Sequence, residues 1–135
     1  MPRTAQRSEV VRAKKRFVVH RTDDFAVRGT QIKVFNRAKL SQYLQRDKKE
    51  FVLSKQVLRS GTAVGALIRE AEFGQSKADF ANKMSVSLKE ANETGYWLSL
   101  LKDTDFISEN QFESLQSDCK ELIAMLVSTV KTSKS

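Results

Sequence analysis

Glu70, Glu90 and Glu93 are the first residues to question for chemistry. Glu90 and Glu93 stand three apart, and Glu70 can face them from a neighbouring helix. Helical bundles that hold bridged metal pairs use glutamates in this way, but each Glu-x-x-His step also needs an imidazole. The single histidine, His20, stands near the N-terminus and completes no such set. Its position also removes Ser–His and Cys–His nucleophiles from the body of the chain. No glycine-rich nucleotide loop and no zinc-ligand spacing is present. The chain is therefore expected to be no enzyme, with no cofactor and no metal. The glutamates read as structural, pairing with Arg59, Arg69, Lys77 or Lys89 within or between subunits. The one cysteine, Cys119, has no internal partner and is expected as a buried free thiol, which fits a reducing, cytoplasmic compartment.

The other chemistry on offer is charge. The net charge of +8 is unevenly distributed. Residues 1–40 hold eleven Lys and Arg against Glu9, Asp23 and Asp24, and residues 41–135 hold thirteen of each sign. The whole excess thus lies in the first third, which implies a basic arm on a neutral body. Within it, RAKKRFVVHR gathers Arg12, Lys14, Lys15, Arg16 and Arg21 around a short apolar patch. One reading is a solvated tail. The other is a contact to phosphates, with Phe17 available to stack on a base. A competing basic rim would use Lys48, Lys49, Lys55, Arg59 and Arg69, provided that folding segregates them on one face.

These residues need elements to carry them. One proline and five glycines leave few turns and favour helices. A chain of 135 residues is one domain's worth and long enough for a real core. No apolar run approaches the roughly 20 residues that span a bilayer, and no secretory signal is visible. The stretch Glu50–Leu101 organises the rest. Leu53, Val57, Val64, Leu67 and Ala71 recur at helical steps, and so do Phe80, Met84, Leu88, Ala91 and Leu98, with Gly95 in the missing step. Between them Gly74 is expected to close one helix in the left-handed conformation, and Ser76 to cap the next. Asp47 and Glu50 have capping-box form, as do Ser108 and Gln111, the latter flanked by the pair Ile107 and Phe112. Phe112, Leu115, Cys119, Leu122, Leu126 and Val130 form a further stripe. The spacing predicts helices near 30–45, 49–73, 76–102 and 108–131, with a polar tail after Lys131. The arm is placed at 1–22 and the bundle at 23–135.

The centre of the second helix, Ser60–Ala66, is small nearly all round, with Gly61, Ala63, Gly65 and Ala66. Two interior glycines cost roughly 2 kcal/mol relative to alanine. Close approach of a helix within the bundle, or of another subunit, would offset that. Trp97 is expected to be buried with its indole N–H satisfied, a base-stacking role being the lesser alternative.

The order LRSGT, a small-residue helix ending in EA, GQSKADF, then SLKEANETGYWLSLL resembles the 23S ribosomal RNA intervening-sequence protein family, also called the four-helix bundle protein family. The resemblance runs from about Lys49 to about Lys131. It implies an all-α, antiparallel up-down-up-down four-helix bundle. Members include pentameric rings, and many are encoded inside insertions in ribosomal RNA genes. The accessory protein of diversity-generating retroelements is distantly similar, a basic pentamer associated with nucleic acid and a reverse transcriptase. Phe25–Arg28 and Lys39–Leu44 resemble the two ends of the family's first helix. Gly29–Ala38 between them is an apparent insertion, with β-prone Ile32, Val34 and Phe35. The expected function is a non-catalytic homo-oligomer, a pentamer by resemblance, that binds nucleic acid, RNA before DNA. The alternative is a ring-forming scaffold that recruits a protein such as a reverse transcriptase without nucleic-acid contacts of its own. No membrane contact is expected.

Overall fold

Short connections decide the architecture. The computed structural model describes residues 24–134 and places them in four helices, α1 (Asp24–Arg46), α2 (Leu53–Glu72), α3 (Lys77–Asp103) and α4 (Glu109–Lys134). Each turn is too short to do anything but return the chain along its predecessor. The result is an all-α, up-down-up-down four-helix bundle. Helix α3 packs on both α2 and α4, α1 lies against α2, and α1 meets α4 only lightly. The basic arm lies outside the described residues.

The apolar stripes meet in two clusters. One, near the α2–α3 turn, joins Val64, Ile68, Phe80, Met84, Leu122 and Leu126. The other, at the opposite end, joins Leu40, Leu44, Val57, Leu98, Leu101 and Ile107. Each large apolar side chain buried here contributes roughly 1.5–3 kcal/mol. Between the clusters runs a polar layer. The Thr94 hydroxyl donates to Ser60 Oγ at 2.8 Å, and the Ser60 hydroxyl donates to the Gln56 carbonyl at 2.9 Å. Buried hydroxyls satisfied in this way cost little and fix which residues face each other.

The stripes shift in detail from the sequence reading. Ile68, rather than Leu67, is the buried residue of its turn, and Leu53 is only partly buried. Thr94, not Gly95, occupies the inward step between Ala91 and Leu98. Helix α1 begins at Asp24, earlier than residue 30, and the apparent insertion continues it without a break. Helical propensity summed over its neighbours outweighs the three β-prone residues, whose side chains lie outside the described ones. Leu40 and Leu44 turn inward from α1, while Asn36 and Lys39 are exposed.

The helix ends show where local rules gave way. Ser76 caps α3 as expected, accepting from the Asp79 amide at 3.0 Å. Ser108 and Gln111 exchange both capping-box bonds, at 2.8 and 3.1 Å. Gly74 does not adopt the left-handed conformation. Its amide donates to the Ala71 carbonyl, and a Cβ there would lie 3.1 Å from that oxygen and 3.2 Å from Asp79 Oδ2. Glycine is needed for room and not for φ. Helix α2 begins at Leu53, not near residue 49, with Val52 at the N-cap position and the Glu50 side chain capping the helix from two residues before it. That carboxylate accepts from the amides of Val52, Leu53 and Ser54 at 2.8, 2.7 and 2.6 Å. Lys49 before it takes a positive φ of 54°, which turns the chain into the cap. At the other end α4 continues to Lys134 with Ser133 buried, so the residues after Lys131 extend the helix.

Candidate nucleic-acid interface

A basic surface needs cations that are exposed, clustered and not already neutralised. Arg12, Lys14, Lys15, Arg16 and Arg21 lie outside the described residues. The rim residues are all exposed. Lys55, Arg59, Thr62, Ala66, Arg69 and Phe73 follow one another at steps of four and three along one edge of α2 and its C-terminal cap. That period keeps them on a single outward stripe. Lys48 and Lys49 lead into the same helix from the preceding turn. Folding thus does segregate Lys55, Arg59 and Arg69.

Arg59 is the exception within this stripe. Its guanidinium bridges α2 to α3, bonding Glu90 at 3.3 Å and Glu93 on its other terminal nitrogen. The Trp97 indole N–H donates to the same Glu93 carboxylate at 3.2 Å, and Tyr96 packs edge-on against Trp97. Partial desolvation pushes the Glu93 carboxyl up, but the hydrogen bonds from Arg59 and Trp97 outweigh it and hold the group below the usual carboxylate range. The bond to Glu93 likewise holds Arg59 above its ordinary value. Two carboxylates therefore neutralise Arg59. Lys55, Arg69, Lys48 and Lys49 have no ion-pair partner among the described residues. Glu90 and Glu93 pair with Arg59 as expected, whereas Glu70 pairs at 3.3 Å with Lys83, which was not among the expected partners. Among the described residues no group of three or more His, Cys, Asp or Glu is arranged to hold a metal ion.

The small residues of α2 divide by role. Gly61 is buried, Ala63 and Gly65 are partly buried, and Ala66 is exposed. What approaches Gly61 is not a helix backbone. A Cβ at Gly61 would lie 2.7 Å from Arg37 Cδ and 3.2 Å from Arg37 Cβ, so glycine admits the stem of an arginine from α1. Trp97 is partly buried, with its N–H satisfied.

Arg37 is the functional candidate that the sequence reading missed. It lies within the apparent insertion and is only 1 % exposed, yet among the described residues none of its guanidinium nitrogens has a hydrogen-bond partner. An unpaired buried charge costs several kcal/mol, so such a group is normally matched. The one hint in the sequence was Gly61, which signalled a close approach without naming what approached. Cys119 lies beside Arg37, buried, its thiol donating to the Ala91 carbonyl at 3.2 Å. Burial pushes this thiol up, against the pull of the Arg37 charge.

Comparison with known proteins adds the following. The family model described as "23S rRNA-intervening sequence protein" matches residues 31–128. None of the curated proteins compared is significantly similar to the chain. Among solved structures, a protein of unknown function from the S23 ribosomal protein family of Bacteroides thetaiotaomicron superposes with a TM-score of 0.79. It is 46 % identical, over 82 % of this chain and 98 % of that one. No helix among the described residues is long and apolar enough to cross a membrane.

Proposed function

This chain belongs to the 23S rRNA-intervening sequence protein family, and from that premise we propose that it is a non-catalytic, oligomeric bundle that binds RNA through basic residues. One observation carries the reading. The whole +8 excess lies in residues 1–40, and six of the eight charges lie in the arm, where residues 1–22 hold seven Lys and Arg against Glu9. Such a distribution suits an arm that tracks phosphates and a body that holds several arms together. Arg12, Lys14, Lys15, Arg16 and Arg21 offer about five phosphate contacts, which bind weakly alone, with dissociation constants of about 10⁻⁴ to 10⁻⁶ M at physiological salt. A homo-oligomer, a pentamer by family resemblance, raises the effective concentration of arms and gains orders of magnitude in avidity. Lys48, Lys49, Lys55 and Arg69 on the bundle give the strand further cations to follow, and Arg59 contributes less because Glu90 and Glu93 already neutralise it.

A second reading is favoured by the exposed apolar residues Phe51, Val52, Phe73 and Tyr96. In that reading the oligomer is a scaffold that docks a protein partner, such as a reverse transcriptase. Salt separates the two, because phosphate contacts weaken steeply with added salt and apolar docking does not. The test is filter binding of ribosomal RNA fragments by the full chain and by a variant with Arg12, Lys14, Lys15 and Arg16 changed to Ala. The expected result is loss of binding in the variant, with sedimentation unchanged. Undiminished affinity in the variant transfers the site to α2, and no affinity in the parent at low salt leaves the scaffold.

A further inference from the structure

Every large apolar side chain that the described residues leave exposed belongs to the α2–α3 hairpin. Phe51, Val52 and Phe73 flank α2, and Val86 and Tyr96 lie on α3. The described parts of α1 and α4 expose none. Confinement of this kind to one hairpin marks a surface that something covers. The charges beside these side chains are largely paired within the hairpin. Arg59 meets Glu90 and Glu93, and Lys83 meets Glu70 at 3.3 Å. Charges already paired cost less to cover than free ones. A shallow groove of about 750 Å³ runs between the helices, past Ala66, Arg69, Phe73 and Lys83.

The register of the hairpin decides what fits. Its ion pairs fix which residues of α2 and α3 stand level, as do two hydroxyl bonds, Ser87 to the Val64 carbonyl at 3.1 Å and Thr94 to Ser60 at 2.8 Å. In that register Ala66 stands level with Val86, and Lys55 with Tyr96. The two rows are thus complementary to each other: Arg59 to Glu93, Glu70 to Lys83, and Ala66 to Val86. A half turn about an axis parallel to the helices sets α2 opposite α3 of a copy without changing level. A face built of two mutually complementary rows is therefore complementary to itself, as a two-fold contact requires.

We propose that the outer α2–α3 face is an interface with a second copy of this chain, joined about a two-fold axis parallel to the helices. There Ala66 packs on Val86 of the second copy, Arg59 gains a second Glu93, and Lys83 gains a second Glu70. Lys55, which has no ion pair among the described residues, meets the Tyr96 ring of the second copy as a cation–π contact. The face is large enough. The 20 residues of α2 span about 30 Å, and two helices side by side are about 20 Å wide. The contact then covers about 600 Å² of each copy and about 1,200 Å² in all, the lower bound for a stable interface. This inference rests on the oligomeric half of the reading above and not on RNA binding. It narrows the phosphate-binding set to the arm with Lys48 and Lys49, because Lys55 and Arg69 become covered.

The test measures the mass of the full chain by sedimentation and the geometry by cross-linking. The parent is expected to hold an even number of chains: two, or ten where the face joins two of the five-membered rings implied by the family resemblance. Ala66→Glu combined with Val86→Glu, both at exposed positions, is expected to halve that mass and leave helicity by circular dichroism unchanged. An Ala66→Cys chain mixed with a Val86→Cys chain is expected to form a mixed disulfide on oxidation, and neither chain alone to cross-link. Cys119 is buried and takes no part. A parent of five chains, its mass untouched in the double Glu variant, overturns this inference and spares the ring. A monomeric parent at micromolar concentration overturns both. Cross-linking of Ala66→Cys with itself, or no mixed disulfide, overturns the two-fold pairing. A double Glu variant that keeps its mass but loses RNA affinity gives the face to the strand, and one that keeps both gives it to a different protein; either result overturns the pairing.

Discussion

Single residues in this bundle act mostly through what they leave room for. Adding a methyl at Gly61 drives it into Arg37 Cδ at 2.7 Å. Overpacking of that kind costs about 1–3 kcal/mol, against about 1 kcal/mol returned by the better helix propensity of alanine. Gly61→Ala is thus expected to lower the urea midpoint in the parent and to raise it when Arg37 is already Ala. A double-mutant cycle reads the difference as coupling between α1 and α2. Glu93 gives a pH dependence of known sign. Its folded pKa lies below its unfolded value, so its stabilisation is complete at neutral pH and is lost as acid carries the pH down through the folded pKa. The side chain is 37 % exposed, which limits the effect to under about 1 kcal/mol. Stability measured against pH should show a shallower acid limb in Glu93→Gln than in the parent. An unchanged limb would assign the acid sensitivity to other carboxylates.

At the scale of elements, the start of α2 hangs on one carboxylate. Glu50 satisfies three otherwise orphaned amides, and Ser54 returns a hydroxyl to the Glu50 carbonyl at 2.9 Å. Glu50→Ala is expected to cost about 2 kcal/mol in chemical denaturation, the upper end for a lost cap, because the site is buried. How much of this was legible beforehand differs by feature. Stripes such as Phe80, Met84, Ala91 and Leu98 were readable, since a period of 3.6 is imposed by helix geometry alone. The cap of α3 was readable because Ser76 and Asp79 interact within one turn. The cap of α2 was misplaced because Asp47 and Glu50 mimic a capping box, and only the positive φ of Lys49 makes Glu50 the acceptor. Arg37 was not readable at all. Its neighbours Gly61 and Cys119 come from two other helices, and no local pattern marks a contact of that range. Segregation of Lys55 and Arg69 on the edge of α2 followed from spacing, but the loss of Arg59 to Glu90 and Glu93 needed the α2–α3 register.

For the whole molecule, the prediction that matters is electrostatic. If five arm cations meet five phosphates of a single strand, the logarithm of affinity should fall with the logarithm of salt at a slope of roughly −3.5 per engaged arm. Filter binding across a salt series should return that slope, or a multiple of it set by the number of arms engaged. A slope near zero would leave the exposed Phe51 and Val52 as the better contacts. The light contact between α1 and α4 carries a different consequence, in time and not in energy. Because helices pack almost entirely on their neighbours in sequence, the chain never has to close a long loop before a contact stabilises it. Folding in the microsecond-to-millisecond range is therefore expected, with the α2–α3 hairpin formed first and α1 docking last. Hydrogen exchange should register the same order in reverse, the amides of α1 opening while those of α3, covered on both sides, are still protected. On a ribosome the hairpin would lock once α3 has emerged, while the last helix is still inside the exit tunnel.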